Sequence, residues 1–161
     1  MAQHTNLNDK EVAFVQRMRV ARLATADEHG NPHVIPVCYA FDGTYFYIAL
    51  DEKPKRVEVT QLRRVHNIEV RHEVSLLVDQ YSDDWSQLGY VLIHSRAELI
   101  VSEHERYAPA LALLRTRYVQ YRTMNLERNP VIMITVDRVT SWGLKFGQDV
   151  LKGDKKDDPI T

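Results

Sequence analysis

Three cations fall within four residues at Lys53-Pro54-Lys55-Arg56. Such a cluster suits one kind of chemistry above others, the binding of an anion such as a phosphate. The segment reads as the start of a helix, with Pro54 suited to the first helical position, where its missing N–H costs nothing. Cations at a helix N-terminus are disfavoured by a few tenths to about 1 kcal/mol each. That cost makes sense if an anion sits among them and on the exposed backbone N–H groups. The spacing alone leaves two readings open, a phosphate seat or a solvated charged turn. Arg63 and Arg64, further along, either extend the basic surface or belong to a solvated helix face.

Other chemistry is thinly represented. None of the seven histidines forms a metal-ligand pattern; His29 and His33 are four apart, but Gly30-Asn31-Pro32 between them reads as a turn. Cys38, the only cysteine, reads as a small core residue in mid-strand. With six unclustered glycines there is neither a Walker loop nor a Gly-x-Gly-x-x-Gly turn. Trp85, beside a turn, and Trp142, before Gly143, are each open to two readings, a ring stacked on a ligand or ordinary packing.

The elements that must position these residues read as follows. Asn8 with Glu11 marks a helix start, and the helix runs to about Arg19. Strands are expected over Val20–Ala26 and His33–Phe41, with the turn formers of 27–32 between them. Asp42-Gly43 is a hairpin signal, so His33–Phe41 and the return strand Thr44–Leu50 should be antiparallel neighbours. On the first of these, Pro36, Cys38 and Ala40 are small or flat, which lets a planar ring approach the backbone. A helix from Pro54 follows, then strands Glu73–Tyr81 and Leu88–Val101. A helix over Ser102–Tyr121 is expected to open on a Ser102/Glu105 capping box and to be divided by Pro109. The final strand is Val131–Trp142. Six strands with short turns and flanking helices predict a mainly β protein, a closed or nearly closed antiparallel barrel.

Bulk properties agree with one folded unit. The 161 residues are 44% hydrophobic and 27% charged, with a net charge of -1. Residues 1–146 are expected to form a single domain and 147–161 a polar, mobile tail. The near-neutral charge argues against nucleic-acid or membrane-surface binding. The polar stretch 1–9, the lone cysteine and the absence of a long apolar run make a cytoplasmic protein the default.

In order and spacing, Arg22-Leu23-Ala24-Thr25, Gly30-Asn31-Pro32-His33-Val34-Ile35-Pro36-Val37, Asp42-Gly43, Lys53-Pro54-Lys55-Arg56 and Val74-Ser75-Leu76-Leu77-Val78-Asp79 resemble the pyridoxamine 5′-phosphate oxidase-like flavin-binding split-barrel superfamily. Within it the chain is most similar to a small class of deazaflavin (coenzyme F420)-dependent oxidoreductases. Asp79-Gln80-Tyr81-Ser82-Asp83-Asp84-Trp85 looks like a feature of one of its subfamilies. The resemblance spans residues 10–143. It implies a six-stranded antiparallel Greek-key split barrel and a homodimer with two interfacial cofactor sites. It further implies that Ile35, Pro36 and Val37 line the ring system, that Ile48 and Ala49 lie beside it, and that Lys53, Lys55 and Arg56 hold the phosphate. Trp85 and Trp142 would close the site, from the partner subunit in one arrangement. The basic C-terminal substrate motif of the true vitamin B6 oxidases is missing, so that activity is not expected.

What the resemblance implies is hydride transfer between bound F420 or FMN, with a slight preference for F420, and a small unsaturated organic substrate. The cofactor supplies the chemistry, which accounts for the lack of an evident acid–base pair or nucleophile. Two rivals are a non-catalytic flavin, haem or tetrapyrrole carrier on the same fold and an oligonucleotide-binding barrel, the latter disfavoured by charge.

Overall fold

The computed structural model describes residues 3–51 and 62–144. Lys53, Lys55 and Arg56, the expected helix start at Pro54, and the 147–161 tail lie outside the described residues.

One antiparallel sheet organises the chain. Its seven strands are β1 (Ala21–Ala26), β2 (Pro32–Val37), β3 (Ala40–Phe41), β4 (Tyr45–Ala49), β5 (Glu73–Gln80), β6 (Gly89–Ile100) and β7 (Val131–Trp142). The spatial order is β2-β1-β5-β6-β7-β4-β3. β2 and β3 are therefore the two outer edges, yet only Cys38 and Tyr39 separate them in sequence. Three Cα-to-Cα steps span at most about 11 Å, so the sheet has to curl until its edges nearly meet. The result is a split barrel.

This corrects the expected count and pairing. His33–Phe41 is two strands rather than one, which makes seven strands instead of six. Only Ala40 and Phe41 pair with β4, opposite Tyr47 and Phe46. β2 pairs with β1 instead, from Pro32 opposite Ala26 to Val37 opposite Ala21. The break is held open by hydrogen bonds. The Tyr39 N–H donates to the Tyr118 hydroxyl at 3.0 Å. That hydroxyl lies 2.8 Å from the Arg19 carbonyl and 3.0 Å from the Tyr39 carbonyl, and donates its single proton there. The Tyr39 hydroxyl reaches the carbonyls of Val15 (2.5 Å) and Met18 (3.0 Å). Burial pushes the Tyr39 phenol far up from its ordinary value.

Three α-helices complete the unit: α1 (Asp9–Arg17), α2 (Arg63–Val70) and α3 (Tyr107–Arg117). α1 opens on the expected Asn8–Glu11 capping box and stops two residues earlier than Arg19. Its C-terminal carbonyls, orphaned as at every helix end, are taken by the Arg117 guanidinium, which donates to Gln16 O at 2.7 Å and also to Met18 O. α3 begins five residues after Ser102, and no Ser102/Glu105 capping box opens it. Residues 102–106 instead turn tightly around His104, whose Nδ1 accepts from the Arg106 N–H at 3.1 Å. Pro109 falls in the first turn of α3, where no N–H is needed, so it does not divide the helix.

The barrel interior is one apolar cluster. It includes Leu23, Phe46, Ile48, Leu76, Val78, Ile93, Ile132 and Ile134, closed by Phe14 and Val15 from α1 and Val65 and Ile68 from α2. A second cluster packs α3, through Tyr107, Ala110, Leu111 and Leu114, on the outer face of β4 and β7. Near the barrel's other end, the fully buried Glu11 carboxylate accepts from Ser141 Oγ (2.6 Å) and contacts His4 Nε2 (2.7 Å), joining α1, β7 and the N-terminal segment. Among the described residues no helix is long and apolar enough to cross a membrane.

Tyr118→Phe should destabilise the fold by about 1–3 kcal/mol, because it leaves the buried Tyr39 N–H without an acceptor. Urea unfolding followed by far-UV circular dichroism measures this; an unchanged midpoint would show that the crossover is not held by this hydroxyl.

Candidate functional site

Where the barrel edges approach, the chain forms a cleft of about 250 Å³ lined by Ile35, Pro36, Val37, Cys38, Ile48, Ala49, Asp51, Arg64 and Tyr121. One wall is the end of β2 running into the crossover, and the facing wall is the end of β4. Ile48 and Ala49 sit opposite Ile132 and Val131 of β7, so their backbone is fixed within the sheet. The five strand residues singled out from sequence, Ile35, Pro36, Val37, Ile48 and Ala49, thus share one cleft. Aliphatic and flat, they suit a planar ring and offer it no reactive group.

The polar end of the cleft consists of residues that sequence reasoning did not assign to the ring site. Asp51 is the second residue after the β4 wall and the last described residue before the Lys53–Arg56 cluster. The residue is only 7% exposed, and its carboxylate accepts from the Tyr121 hydroxyl at 3.3 Å. Tyr121 lies on a 3₁₀ turn, Val119–Arg122. Burial, the adjacent Cys38 thiol and the Asp51 carboxylate together hold its phenol far above the ordinary range, so it stays a neutral hydrogen-bond donor. No local pattern marks Tyr121; it reaches Asp51 across 70 residues of chain. The signal for Asp51 was its position directly before the cations.

Arg64 enters the cleft from the first turn of α2. Asn67 and Ile68, three and four residues on, are both 1% exposed; residues at these spacings share a helix face. That face is pinned to β1, because Asn67 Nδ2 donates to the buried Thr25 Oγ1 at 2.9 Å. Arg64 is therefore directed inwards while Arg63 is exposed. Burial lowers the Arg64 pKa, and the Asp51 carboxylate and Tyr121 oppose the shift; a guanidinium remains charged under such shifts. Its charge, with that of Arg63, reaches β2: burial, then Arg63 and Arg64, lowers the His33 pKa.

The fit of a flavin-type group can be tested on this wall. The Arg64 Nε–H is buried and, among the described residues, has no acceptor. A buried unmade hydrogen bond of a charged donor is costly, and an oxygen acceptor on a bound planar ring would satisfy it. An apolar slot with one unsatisfied cationic donor at its polar end fits such a group. Among the described residues no cluster of three or more His, Cys, Asp or Glu side chains is placed to hold a metal ion.

The two tryptophans lie elsewhere in the same chain. Trp142 ends β7, eleven residues from Val131 beside the cleft, about 36 Å along an extended strand. It is 50% exposed and packs on Tyr90 with ring centroids 6.3 Å apart. Trp85, 74% exposed, starts a 3₁₀ turn, Trp85–Gln87, that leads into β6. Gly143, directly after Trp142, has φ +88°, and a Cβ there would stand 2.0 Å from the Leu88 carbonyl oxygen, so the two tryptophan-bearing segments touch backbone to backbone.

A split barrel of seven antiparallel strands, with an apolar slot and a guanidinium where its edges meet, defines a class of protein built to hold a planar ligand. The family model described as pyridoxamine 5′-phosphate oxidase matches residues 7–143, and the chain belongs to that family. A curated relative, the 5a,11a-dehydrotetracycline/5a,11a-dehydrooxytetracycline reductase of Streptomyces rimosus, is 23% identical over 142 residues, 84% of this chain and 82% of the relative. Among solved structures, a conserved hypothetical protein of Mycobacterium tuberculosis superposes with TM-score 0.68 at 23% identity, over 90% of this chain and 91% of that one. A haem storage protein of Vibrio cholerae gives 0.64 at 15% identity over 84% and 94% of the two chains. An FAD-binding protein of Mesorhizobium loti gives 0.63 at 19% identity over 88% and 97%. At these identities the structural likenesses establish the shared fold.

The segment carrying Tyr121 is itself anchored by Arg115, which donates to Tyr121 O (3.2 Å), Met124 O (3.0 Å) and the Glu127 carboxylate (2.5 and 2.9 Å). The hydrogen bond from Arg115 holds the Glu127 carboxyl down at about 2, from an ordinary 4.5. A depressed carboxylate pKa adds stability that is complete above the ordinary value and lost as pH falls towards the folded one. The Arg115–Glu127 contact should therefore weaken between about pH 4.5 and 2. Arg115→Gln should return Glu127 towards its ordinary titration, read from carboxyl carbon shifts in NMR; an unmoved midpoint would detach Glu127 from Arg115.

Proposed function

We propose that this chain is a flavin- or deazaflavin-dependent oxidoreductase that transfers a hydride between its bound cofactor and a small unsaturated organic substrate. The observation that carries the reading is the cleft itself: Ile35, Pro36, Val37, Ile48 and Ala49 brought together beside the buried donor of Arg64. Family membership and a curated relative whose name is that of a reductase support it. When bound, the cofactor supplies the two-electron chemistry. The strand residues hold its ring flat against backbone and keep water from that side. Lys53, Lys55 and Arg56 take its phosphate in this reading. Between the two candidates F420 is slightly preferred over FMN, on the class resemblance.

The same reading makes the protein a cytoplasmic homodimer. At about 250 Å³ the cleft is smaller than the roughly 300–1,000 Å³ of a complete ligand pocket, so other groups must cover the ligand. The sheet's outer face offers a surface for a second copy of the chain. Pro36, Arg22, Leu77 and Leu92 stand side by side across four strands, with Val34 and Ala24 in the next row. Val34 is 59% exposed. This face is continuous with the cleft through β2, and a partner on it would bring groups such as Trp85 or Trp142 to the ring.

A carrier on the same fold is the second reading, favoured by the likeness to the haem storage protein. Titration of the purified protein with FMN, F420 and haem, followed by visible absorption, separates them. The oxidoreductase reading expects a perturbed flavin or deazaflavin band and reoxidation of the reduced cofactor by an unsaturated acceptor. A Soret band with no flavin binding would favour the carrier. Lys55→Ala with Arg56→Ala should weaken FMN and F420 binding at least tenfold, the loss of one or two charge-assisted contacts; wild-type affinity would remove the phosphate assignment. Light scattering should give twice the chain mass, and Leu77→Glu with Leu92→Glu should halve it; a wild-type monomer would overturn the dimer.

A further inference from the structure

His33 belongs to the strand that walls the cleft. On β2 it lies opposite Thr25 of β1, and the Thr25 hydroxyl accepts from Asn67 Nδ2 of α2. Side chains alternate along a strand, so His33 shares its face with Ile35 and Val37, which line the cleft. The half-buried imidazole is thus set on the cleft wall beside α2. Charged groups reach it from two sides. α2 presents Arg63 and Arg64 in a first turn that has no acidic residue and no side-chain cap; after burial, these two guanidinia lower the His33 pKa. The β1–β2 turn presents Asp27, Glu28 and His29, and both of its carboxylates are engaged. Asp27 accepts from the His29 N–H, the Asn31 N–H and Asn31 Nδ2, each at 2.9 Å, and Glu28 meets His66 Nε2 at 3.3 Å. At the cleft's polar end Asp51 accepts from Tyr121. The two guanidinium charges are permanent. The imidazole alone of the three has a charge that its surroundings set near neutral pH. A helix N-terminus favours an anion, and the two arginines add to that preference.

Resting on the reading above, we propose that His33 is a proton-dependent holder of the cofactor's phosphate: neutral in the ligand-free cleft, it takes up a proton as the phosphate arrives beside it and the two arginines. The direction follows from charge. Without a ligand, burial and two neighbouring cations favour the neutral imidazole. A phosphate monoester carries about -1.5 to -2 charge near neutral pH, which turns the local field in favour of the imidazolium. Linkage is reciprocal: whatever the phosphate does for the proton, the proton does for the phosphate. Affinity for a phosphorylated cofactor therefore rises as pH falls through the imidazole titration, and affinity for the bare ring does not. The monoester's own second ionisation, near about 6, acts in the opposite sense, so the contribution of His33 is read as a ratio of wild type to variant. Lys53, Lys55 and Arg56 supply permanent charge in that reading, and His33 supplies the part that pH controls.

The test compares the wild type, His33→Gln and His33→Arg, each first shown to melt as the wild type does. The ligands are FMN and riboflavin, and F420 and its chromophore lacking the phosphate tail. The His33 ring-proton signal, assigned by its loss in His33→Gln, is titrated by NMR with and without each ligand. FMN and F420 should move its midpoint upwards, and the two unphosphorylated rings should leave it in place. Dissociation constants from fluorescence quenching should agree. The wild-type affinity for FMN divided by that of His33→Gln should rise about tenfold from the alkaline to the acid side of the titration, the effect of a midpoint moved by about one unit. His33→Arg should bind FMN at alkaline pH as tightly as the wild type does at acid pH. A midpoint that FMN leaves unmoved overturns the proposal. So does an equal shift with riboflavin, which would make His33 a ring contact, or an affinity ratio that is flat with pH. If wild-type protein binds none of these cofactors, the oxidoreductase reading falls and this inference with it. If it binds them and the His33 midpoint stays in place, only the inference falls.

Discussion

The short join between β2 and β3 governs the architecture. Two residues, Cys38 and Tyr39, connect the opposite edges of a seven-stranded sheet. A flat sheet of that width would separate its edges by about 28 Å, at 4.7 Å per strand, which two residues cannot span. Curling follows from chain length, and closure of the edges by hydrogen bonds is prevented because the linking residues cross the gap. Tyr39 is the crossing point, and its backbone N–H, backbone carbonyl and side chain are all engaged, by Tyr118, Val15 and Met18. Those partners come from the end of α1 and the end of α3. Arg117 ties the same two ends together by donating to α1 carbonyls while stacking on the Tyr39 ring at 4.9 Å. The cleft exists because the gap is bridged at one point and left open beside it.

The cleft's electrostatics follow from that geometry. Asp51 comes two residues beyond the end of the β4 wall, and the segment after α3 turns back to lay Tyr121 against it. α2, fixed to β1 by Asn67, brings Arg64 to the same end. A carboxylate, a phenol held protonated and a guanidinium thus meet at the edge of an otherwise apolar slot. Buried charges are tolerated when each has a partner of opposite sign or a hydrogen bond. Here Asp51 has Tyr121, whereas the Arg64 Nε–H has no partner among the described residues. That asymmetry distinguishes this end of the cleft from an ordinary buried ion pair.

Much of this was readable from residues alone, for identifiable reasons. The capping box at Asn8, the long strands Gly89–Ile100 and Val131–Trp142, and the turn at Asp42-Gly43 depend on local patterns and appear where expected. Asp42 shows how local such a signal is: its carboxylate accepts from Thr44 N, Tyr45 N and the Tyr47 hydroxyl, all within five residues. The split of His33–Phe41 was not readable, because its alternation of large and small residues continues unbroken through Tyr39. What ends the strand is a tyrosine 79 residues away. The delayed start of α3 has a similar origin: the Ser102 signal is real in type, but His104 organises the turn instead. For the site, the apolar walls followed from the family pattern, while Tyr121 and the inward aim of Arg64 depend on tertiary placement that no spacing encodes.

Gly143 has a consequence for how the molecule can be observed. Because its missing side chain lets the end of β7 lie directly against Leu88 and Gly89, the two tryptophans of the chain belong to one backbone-coupled corner, far along the barrel from the cleft. Tryptophan emission from this protein is therefore a local gauge of that corner. Neither ring lines the cleft, so within one chain a shift in the wavelength of that emission reports the packing of this corner and not direct contact with a ligand.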